Sequence, residues 1–357
     1  MSKNIRDMAL PNRRQFLHAS AAAASVAATP LFLNADSKSG SSPLRVGSGE
    51  YVYECQHGWG ELPESIQWGA THDVAIDAQG LIYITHQSPA KGPMDSVVVF
   101  DADGKYVRSF GKEFHGGGHG LDLRSENGQE FLYLSDVKHR QIAKLDLAGE
   151  VVWTKGFPTE SGKYEKANKY CPTNIALAPN GGFYVGDGYG SSYVHQYDAD
   201  ANWVRSFGGR GTKPGELNCP HGLYVDTRAG REPSLCVTDR ANNRLQYFTL
   251  DGKHLSYVDN LVYPSSLDVR GDVMLVGELD SRLTLLDKEN NVLTYLDDDP
   301  AWRKTVNANG RKVRQNRSKW VDGKFVHPHG ATFDADGNIY LAEWVVGGRV
   351  SLLKKVG

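Results

Sequence analysis

A short phrase that recurs six times constrains the fold more than any other feature of the sequence. Each copy starts with a histidine or a small polar residue, continues through alternating apolar residues, and leads through a turn into a second apolar strand. The six copies begin at His72, His119, Thr173, His221, Ser265 and His329. Short alternating strands that repeat every roughly 40–50 residues are typical of β-propellers. The sequence therefore predicts an all-β protein, a six-bladed β-propeller.

The last repeat has one strand fewer than the others. It stops after its third strand, at residues 349–353. An apolar segment near the start, residues 51–53, is the candidate for the missing strand. A strand from the opposite end of the chain would close the ring and leave no free sheet edge. We therefore predict a propeller over residues 50–357 that is closed by an N-terminal strand.

The first residues of the chain have the features of an export signal. The pair Arg13-Arg14 precedes an apolar, alanine-rich run that ends near residue 33. This combination is typical of a twin-arginine signal peptide, and the run is short and weakly apolar for a membrane span. We predict a signal peptide over residues 1–35 and a polar linker over residues 36–49. The mature protein is then expected to be periplasmic or extracellular, with no stable membrane span.

The charge of the chain argues against a nucleic-acid partner. The sequence has 40 Lys and Arg residues and 42 Asp and Glu residues, which gives a formal net charge of −2. Phosphate binding would require a clustered positive surface. Cationic residues are concentrated in one long loop, residues 297–325, between the fifth and sixth repeats. This loop is either a solvated loop on one face or a lid that supplies positive charge at the mouth of the central channel.

The first residue of the repeated phrase carries the functional argument. Innermost strands of a propeller run along its axis, so equivalent positions form a ring. His119, His221 and His329 occupy this position in alternate repeats and are expected about 120° apart, pointing inward. Three imidazoles with one open coordination position suit a catalytic zinc ion, although copper, iron and nickel also bind imidazole. The competing interpretation is that histidine is only tolerated at a strand start.

Two further histidines lie close to this ring in the sequence. His72 begins the first repeat and is a candidate fourth ligand, or a hydrogen-bond partner of a ligand. His327 lies two residues before His329, and we predict that it lines the same pocket.

These residues resemble a known family. The sequence is similar to the NHL-repeat six-bladed propellers and, among them, to the catalytic core of peptidyl-α-hydroxyglycine α-amidating lyase (peptidylamidoglycolate lyase). The similarity extends over residues 69–353 and is densest at residues 134–146, at Asp187-Gly-Tyr189, at Pro220-His221 and at residues 239–244. The resemblance implies a zinc ion held by His119, His221 and His329. It also implies a small-molecule or peptide substrate, a carbinolamide that is split into an amide and glyoxylate.

The resemblance assigns roles to individual residues. Tyr189 matches the catalytic tyrosine, which would remove the hydroxyl proton, and Arg240 matches an arginine that would bind the substrate carboxylate. Without the resemblance, we would interpret Tyr189 as a turn residue that packs between blades. Arg240 would be interpreted as part of an interblade salt bridge. His86 and Gln87 fall at the substrate site, where the family has a second arginine after the histidine. Gln87 therefore removes one anion contact, which the basic loop is a candidate to replace.

Calcium is the second cofactor that the resemblance suggests. The family places a calcium-binding carboxylate directly after the last zinc histidine, where this chain has Gly330. Asp73, at the same place in the first repeat, is a candidate replacement. The backbone carbonyls of Val74 and Leu121 would complete such a site.

Two other functions stay open. The first is a non-catalytic NHL propeller that binds a protein or glycan on one face. The second is a propeller hydrolase or lactonase, which is disfavoured because such enzymes use Glu, Asp and Asn as metal ligands. The sequence leaves the oligomeric state undetermined.

Overall fold

The protein forms six antiparallel sheets, as a six-bladed β-propeller requires. The structure, a computed structural model, describes residues 44–356. The predicted signal peptide and most of the predicted linker lie outside the described residues. No helix in the described part of the chain is long and apolar enough to cross a membrane.

The first three complete blades follow two strands at the start of the described chain. Those two strands are β1 (Arg45–Ser48) and β2 (Tyr51–His57). Blade one contains β3 (Ala70–Ile76), β4 (Ile82–Gln87), β5 (Val97–Phe100) and β6 (Tyr106–Phe110). Blade two contains β7 (Gly118–Glu126), β8 (Gln129–Asp136), β9 (Gln141–Asp146) and β10 (Val151–Lys155). Blade three contains β11 (Asn174–Leu177), β12 (Phe183–Gly186), β13 (Tyr193–Tyr197) and β14 (Trp203–Gly208).

The remaining blades follow the same meander. Blade four contains β15 (Pro220–Asp226), β16 (Ser234–Asp239), β17 (Arg244–Thr249) and β18 (His254–Val258). Blade five contains β19 (Pro264–Arg270), β20 (Val273–Glu278), β21 (Arg282–Leu286) and β22 (Val292–Leu296). Blade six contains β23 (Pro328–Phe333), β24 (Ile339–Glu343) and β25 (Arg349–Lys355).

The ring closes as the sequence predicts. Strand β2 pairs antiparallel with β25, for example Cys55 opposite Leu353, and so completes blade six from the other end of the chain. Strand β1 pairs with β2 and makes this blade five-stranded. The predicted linker was therefore too long at its end, because β1 lies within residues 36–49 and belongs to the propeller.

The hydrophobic core lies between neighbouring blades. Tyr83 and Val99 of blade one pack against Leu132 and Ala143 of blade two, and all four are fully buried. A four-stranded sheet cannot cover both of its own faces, so each blade supplies the core of the next.

The interval predicted as a long loop contains a helix. Helix α1 (Pro300–Arg311) begins with proline at its first turn, and the Asp299 carboxylate caps it by accepting hydrogen bonds from the next free backbone N–H groups. Its dihedral angles leave the helical region at Ala308–Gly310. Val306 of the helix joins a small buried cluster with Val326 and Val345, which attaches the insert to blade six.

Carboxylates at the ends of second strands hold the loops that precede the inner strands. Asp187 accepts a hydrogen bond from the backbone N–H of Cys171 at 2.7 Å, and Asp239 accepts one from Asn218 at 2.6 Å. Glu343 does the same for Val326 at 2.7 Å. Each of these loops leads directly into a residue of the central ring, so the carboxylates fix where the ring begins.

Candidate metal centre

The four ring histidines lie at irregularities in the inner strands. The pairing between first and second strands shifts register at His72, His119, His221 and His329. A β-bulge re-aims the side chain it carries and is common beside active sites. The side chains turn inward as a result, and each histidine is only 1–4% exposed.

The three predicted ligands form a nearly regular triangle around the axis. The ring centroid of His119 is 4.9 Å from that of His221 and 4.7 Å from that of His329, and the remaining distance is 4.7 Å. His72 lies 4.9 Å from His119 and 4.6 Å from His329. By ligand atoms, the set that lies within 4.8 Å of one another is His72, His119 and His329, and it does not include His221. The structure thus brings the predicted triad together and places His72 beside it.

A shared contact orients the three imidazoles. The Nδ1 atoms of His119, His221 and His329 lie 2.6, 2.7 and 2.8 Å from backbone carbonyl oxygens of the next blade. Because a carbonyl only accepts, each Nδ1 carries the proton and each Nε2 keeps its lone pair. Metal-binding histidines in proteins commonly show this arrangement.

The glycine that follows each of these histidines leaves room for the carbonyl group to approach. A Cβ at Gly120 would lie 2.5 Å from the carbonyl oxygen of Thr173, and one at Gly222 would lie 2.6 Å from that of Ser265. At Gly330 the clash would be with the carbonyl oxygen of His72, at 2.4 Å. These are the same carbonyls that accept from the histidines. The repeated His-Gly pair therefore has a physical reason, which the sequence analysis missed.

The protonation state of the ring also suits a metal. Burial lowers the pKa of His119 to about 3. Burial, reinforced by neighbouring positive groups, lowers the pKa values of His221 and His329 well below the usual range. Neutral imidazoles are the form that binds metal ions. The Nε2 atom of His329 is buried without a hydrogen-bond partner among the described residues. These observations fit a divalent metal ion such as zinc.

Tyr189 places its hydroxyl group against this ring. The hydroxyl oxygen lies 2.9 Å from Nε2 of His221 and 3.2 Å from Nε2 of His119. The backbone N–H of Tyr189 donates to the carbonyl of Cys171 at 3.2 Å, which holds the turn in place. Tyr189 as a whole residue is 42% exposed, but its hydroxyl group is enclosed among the histidines and Arg240. Tyr189 therefore contacts the metal centre rather than only packing between blades.

Arg240 is the second predicted catalytic residue, and it touches Tyr189. Its Nη1 donates to the Tyr189 hydroxyl at 3.3 Å, and its guanidinium carbon lies 5.1 Å from the centre of the Tyr189 ring. Burial raises the pKa of Tyr189 above its usual value, while the charge of Arg240 acts in the opposite direction. Arg240 is 7% exposed, and none of the ion pairs in the described part of the chain includes it. No carboxylate of the described residues therefore neutralises its charge.

His86 occupies a different environment from the one predicted. It is fully buried, with its ring 4.8 Å from that of Trp68, and its Nδ1 accepts a hydrogen bond from the backbone N–H of Gly69 at 3.1 Å. This is the place and the contact that carboxylates such as Asp187 have in other blades. An alignment of the ends of the second strands would have shown that His86 is equivalent to these carboxylates. Substrate binding by His86 and by the half-buried Gln87 stays a prediction.

His327 lies beside the ring without joining it. It is fully buried, its Nδ1 donates to the carbonyl of Leu279 at 2.7 Å, and its Nε2 has no partner in the described residues. Its ring centre is 5.8 Å from that of Trp344. Burial lowers the pKa of His327 to about 4. His327 is therefore neutral and has an unpartnered acceptor nitrogen among the described residues, and its lining of the pocket stays a prediction.

The residues predicted to bind calcium are held in hydrogen bonds within the protein. The Asp73 carboxylate accepts from the backbone N–H groups of Val74 and Leu121, both at 3.0 Å. The carbonyl of Val74 accepts from the Thr332 hydroxyl at 2.7 Å. Burial raises the pKa of Asp73 to about 7. Asp73 lines a cavity of about 530 Å³ with Asp122 and Asp268, and calcium there stays a prediction.

Comparisons with known proteins support the lyase resemblance. No protein-family model matches the chain. Peptidyl-alpha-hydroxyglycine alpha-amidating lyase 1 of Drosophila melanogaster is 25% identical over 342 residues, covering 82% of this chain and 58% of the fly protein. Peptidyl-glycine alpha-amidating monooxygenase of Mus musculus is 26% identical over 227 residues, or 54% of this chain. The chain resembles the amidating-lyase propellers. The match spans only 22% of the mouse protein.

Two further similarities concern the repeats and the fold. Human NHL repeat-containing protein 3 is 27% identical over 250 residues, covering 66% of this chain and 70% of that protein. The solved structure of virginiamycin B lyase from Staphylococcus aureus superposes with a TM-score of 0.54 at 12% identity, covering 85% of this chain and all of that one. At this identity the second similarity shows the propeller fold alone.

Proposed function

We propose that the protein is a metal-dependent lyase that cleaves an α-hydroxyglycine-type carbinolamide into an amide and glyoxylate. The observation that carries the proposal is the contact of the Tyr189 hydroxyl with two of three converging, neutral histidines. The relatives named amidating lyases support the same reaction class. A non-catalytic propeller would have no need for a phenol and a guanidinium beside three converging imidazoles, one of which keeps an unpartnered Nε2 among the described residues.

Substrate recognition falls to Arg240. A guanidinium group binds a carboxylate through two parallel N–H donors, which fixes both its position and its orientation. Arg240 already donates to Tyr189, so a carboxylate held there brings the neighbouring α-hydroxyl towards the phenol oxygen. The aldehyde acid that leaves, glyoxylate, would keep this contact until it is released.

Tyr189 would act as the general base. Its oxygen accepts the proton of the α-hydroxyl, the C–O bond becomes a carbonyl, and the C–N bond breaks. The amide nitrogen takes up a proton, so the products are a neutral amide and glyoxylate. A free phenol has a pKa of about 10 and is a poor base at neutral pH. Arg240 favours the phenolate, which burial alone opposes.

His119, His221 and His329 would hold the metal through Nε2. A zinc ion bound there would act as a Lewis acid toward substrate oxygens and would supply positive charge that lowers the pKa of Tyr189. The carbonyl partners of Nδ1 keep the three rings in place before substrate arrives. His72 is close enough to His119 and His329 to join them as a fourth ligand.

Glyoxylate release from N-benzoyl-α-hydroxyglycine tests the proposal. We expect turnover by the metal-loaded protein and a fall in kcat of about 10²–10⁴-fold in Tyr189→Phe, the range that positioned proton transfer contributes. Tyr106→Phe, which removes a hydroxyl from an exposed outer strand, is the matched control and should keep full activity. Wild-type protein that releases no glyoxylate above the uncatalysed rate would contradict the lyase and leave the non-catalytic propeller and the hydrolase or lactonase.

We also propose that the protein is exported by the twin-arginine route. The support is the Arg13-Arg14 pair followed by an alanine-rich apolar run. The first 35 residues, fused to a folded reporter, should carry it out of the cytoplasm. Lysine at both arginine positions should abolish transport, and unchanged transport would contradict the assignment.

A further inference from the structure

Three arginines come from two parts of the fold near the histidines, blade four and the insert. Arg240 follows the second strand of blade four, whereas Arg311 and Arg314 belong to the insert between blades five and six. The guanidinium carbons of Arg240 and Arg311 lie 5.1 and 4.9 Å from the centre of the same Tyr263 ring. The insert therefore reaches the side chains that surround the candidate active site.

Arg314 belongs to the same insert as Arg311 and is held by Trp344. Its guanidinium carbon is 3.4 Å from the centre of the Trp344 ring, and its Nε donates to the Trp344 carbonyl at 3.1 Å. Trp344 in turn contacts His327, two residues from a ring histidine. The carbonyl of Arg314 accepts from the backbone N–H of Val346 at 2.9 Å, so both ends of the residue are anchored. Stacking and this backbone contact leave the terminal N–H groups free to bind a ligand.

The charge of Arg314 has no counterion among residues 44–356. Arg311 pairs with Asp280 at 2.8 Å, but no ion pair in the described part of the chain includes Arg314. Arg314 is half-buried, and burial together with the charge of Arg311 lowers its pKa. A partly buried cation next to a like charge is unfavourable unless an anion binds there. The fold holds this guanidinium rigidly in an arrangement that a ligand would stabilise.

We propose that Arg314 binds a second carboxylate, on the acyl portion of the substrate, while Arg240 binds the carboxylate next to the reacting carbon. The inference rests on the proposed function and adds the substrate class, acyl-α-hydroxyglycines whose acyl portion is itself acidic. Arg240 stacks on Tyr263 whereas Arg314 stacks on Trp344, so the two guanidinium groups rest on different aromatic rings and each takes a separate anion. Arg311 also contacts Tyr263, but its charge is paired with Asp280.

Binding of two unreactive ligands tests this inference without turnover. N-succinylglycine and N-pentanoylglycine both lack the α-hydroxyl and have similar length, but only the first carries an acyl carboxylate. Titration calorimetry at low salt should show that wild-type, metal-loaded protein binds N-succinylglycine about 10-fold more tightly, as expected for one charge-assisted contact. Arg314→Gln should remove this preference, and Arg314→Lys should keep part of it.

The control is Lys312→Gln, which removes an exposed charge from the same insert and should keep the full preference. Equal affinity of the wild type for both ligands, or binding of neither, overturns the inference, and so does an unchanged preference in Arg314→Gln. Glyoxylate release from N-benzoyl-α-hydroxyglycine is measured separately. If the protein releases glyoxylate but shows no preference for the acidic ligand, the role of Arg314 is refuted and the lyase proposal stands.

Discussion

At the scale of single residues, the His-Gly pairs explain how the ring is built. Histidine supplies the nitrogen that faces the axis, and glycine lets the next blade bring the carbonyl that fixes the imidazole. The repeat period alone predicted that His119, His221 and His329 converge. It did not predict the carbonyl contacts, because the distance between inner strands of neighbouring blades is a property of packing.

Gly222→Ala tests this explanation. The new methyl group would lie 2.6 Å from the Ser265 carbonyl oxygen, so the strands must separate and the His221 imidazole must lose its alignment. We expect destabilisation of about 1–3 kcal/mol, typical of overpacking, and at least about 10-fold weaker metal binding. Gly156→Ala adds a methyl group in open space and should change neither quantity. Calorimetric metal titration with thermal unfolding measures both, and tight binding by Gly222→Ala would contradict the explanation.

At the scale of elements, the ends of the second strands matter as much as the inner strands. Glu343 accepts from Val326 and pairs with the buried Arg349, which holds the segment leading into β23. Burial opposes the charge of Glu343, but Arg349 outweighs it and holds the pKa of this carboxyl below its usual range. The Glu343 contribution to stability is therefore present above about pH 4.3, the unfolded pKa, and is lost as pH falls through the folded pKa.

Glu343→Gln should leave Arg349 buried without its counterion. We expect a loss of about 3–5 kcal/mol in the free energy of unfolding at pH 7. The difference from wild type should shrink below about pH 4, as pH approaches the lowered folded pKa of the wild-type carboxyl, and should disappear only below that pKa. Urea unfolding at both pH values measures this. Glu54→Gln, which breaks an exposed pair with Arg45, is the control and should cost less than about 1 kcal/mol. If the difference in unfolding free energy between wild type and Glu343→Gln does not change with pH, the ion pair is not the cause of the lost stability.

The helix in the insert shows where element-level prediction failed. Asp299-Pro300 is a recognisable helix start, with a capping carboxylate before a proline. The helix buries only Val306. Because the segment is rich in Lys and Arg and has almost no buried face, the sequence analysis interpreted it as a loop. The interpretation of this interval as a source of positive charge fits the contacts of Arg311 and Arg314 better than a purely solvated loop does.

At the scale of the whole molecule, ring closure was predictable because blade count and strand count are both visible in the repeats. The residues of one blade are covered by the next, so no blade is stable without its neighbours. The strand that completes blade six comes from the opposite end of the described chain. The site at the axis depends on this closure, since His329 of blade six must meet ligands from blades two and four.

Truncation tests this dependence. A protein that begins at Gly58 lacks β1 and β2, leaves the edge of β25 unpaired and exposes Leu353 and Phe325, which those strands cover. We expect a loss of more than about 4 kcal/mol and aggregation through the open edge. A protein that begins at Leu44 retains both strands and should melt like the full-length chain. Circular dichroism melting curves and light scattering compare the two, and equal melting temperatures would show that closure is dispensable.

The metal content of the purified protein tests the central claim most directly. Elemental analysis of protein prepared without chelator should find about one divalent transition-metal ion per chain in the wild type and in His254→Ala, whose imidazole lies on an outer strand. His221→Ala should lose the ion while keeping its fold. Wild-type protein without metal, or His221→Ala with the same content as the wild type, would contradict the account.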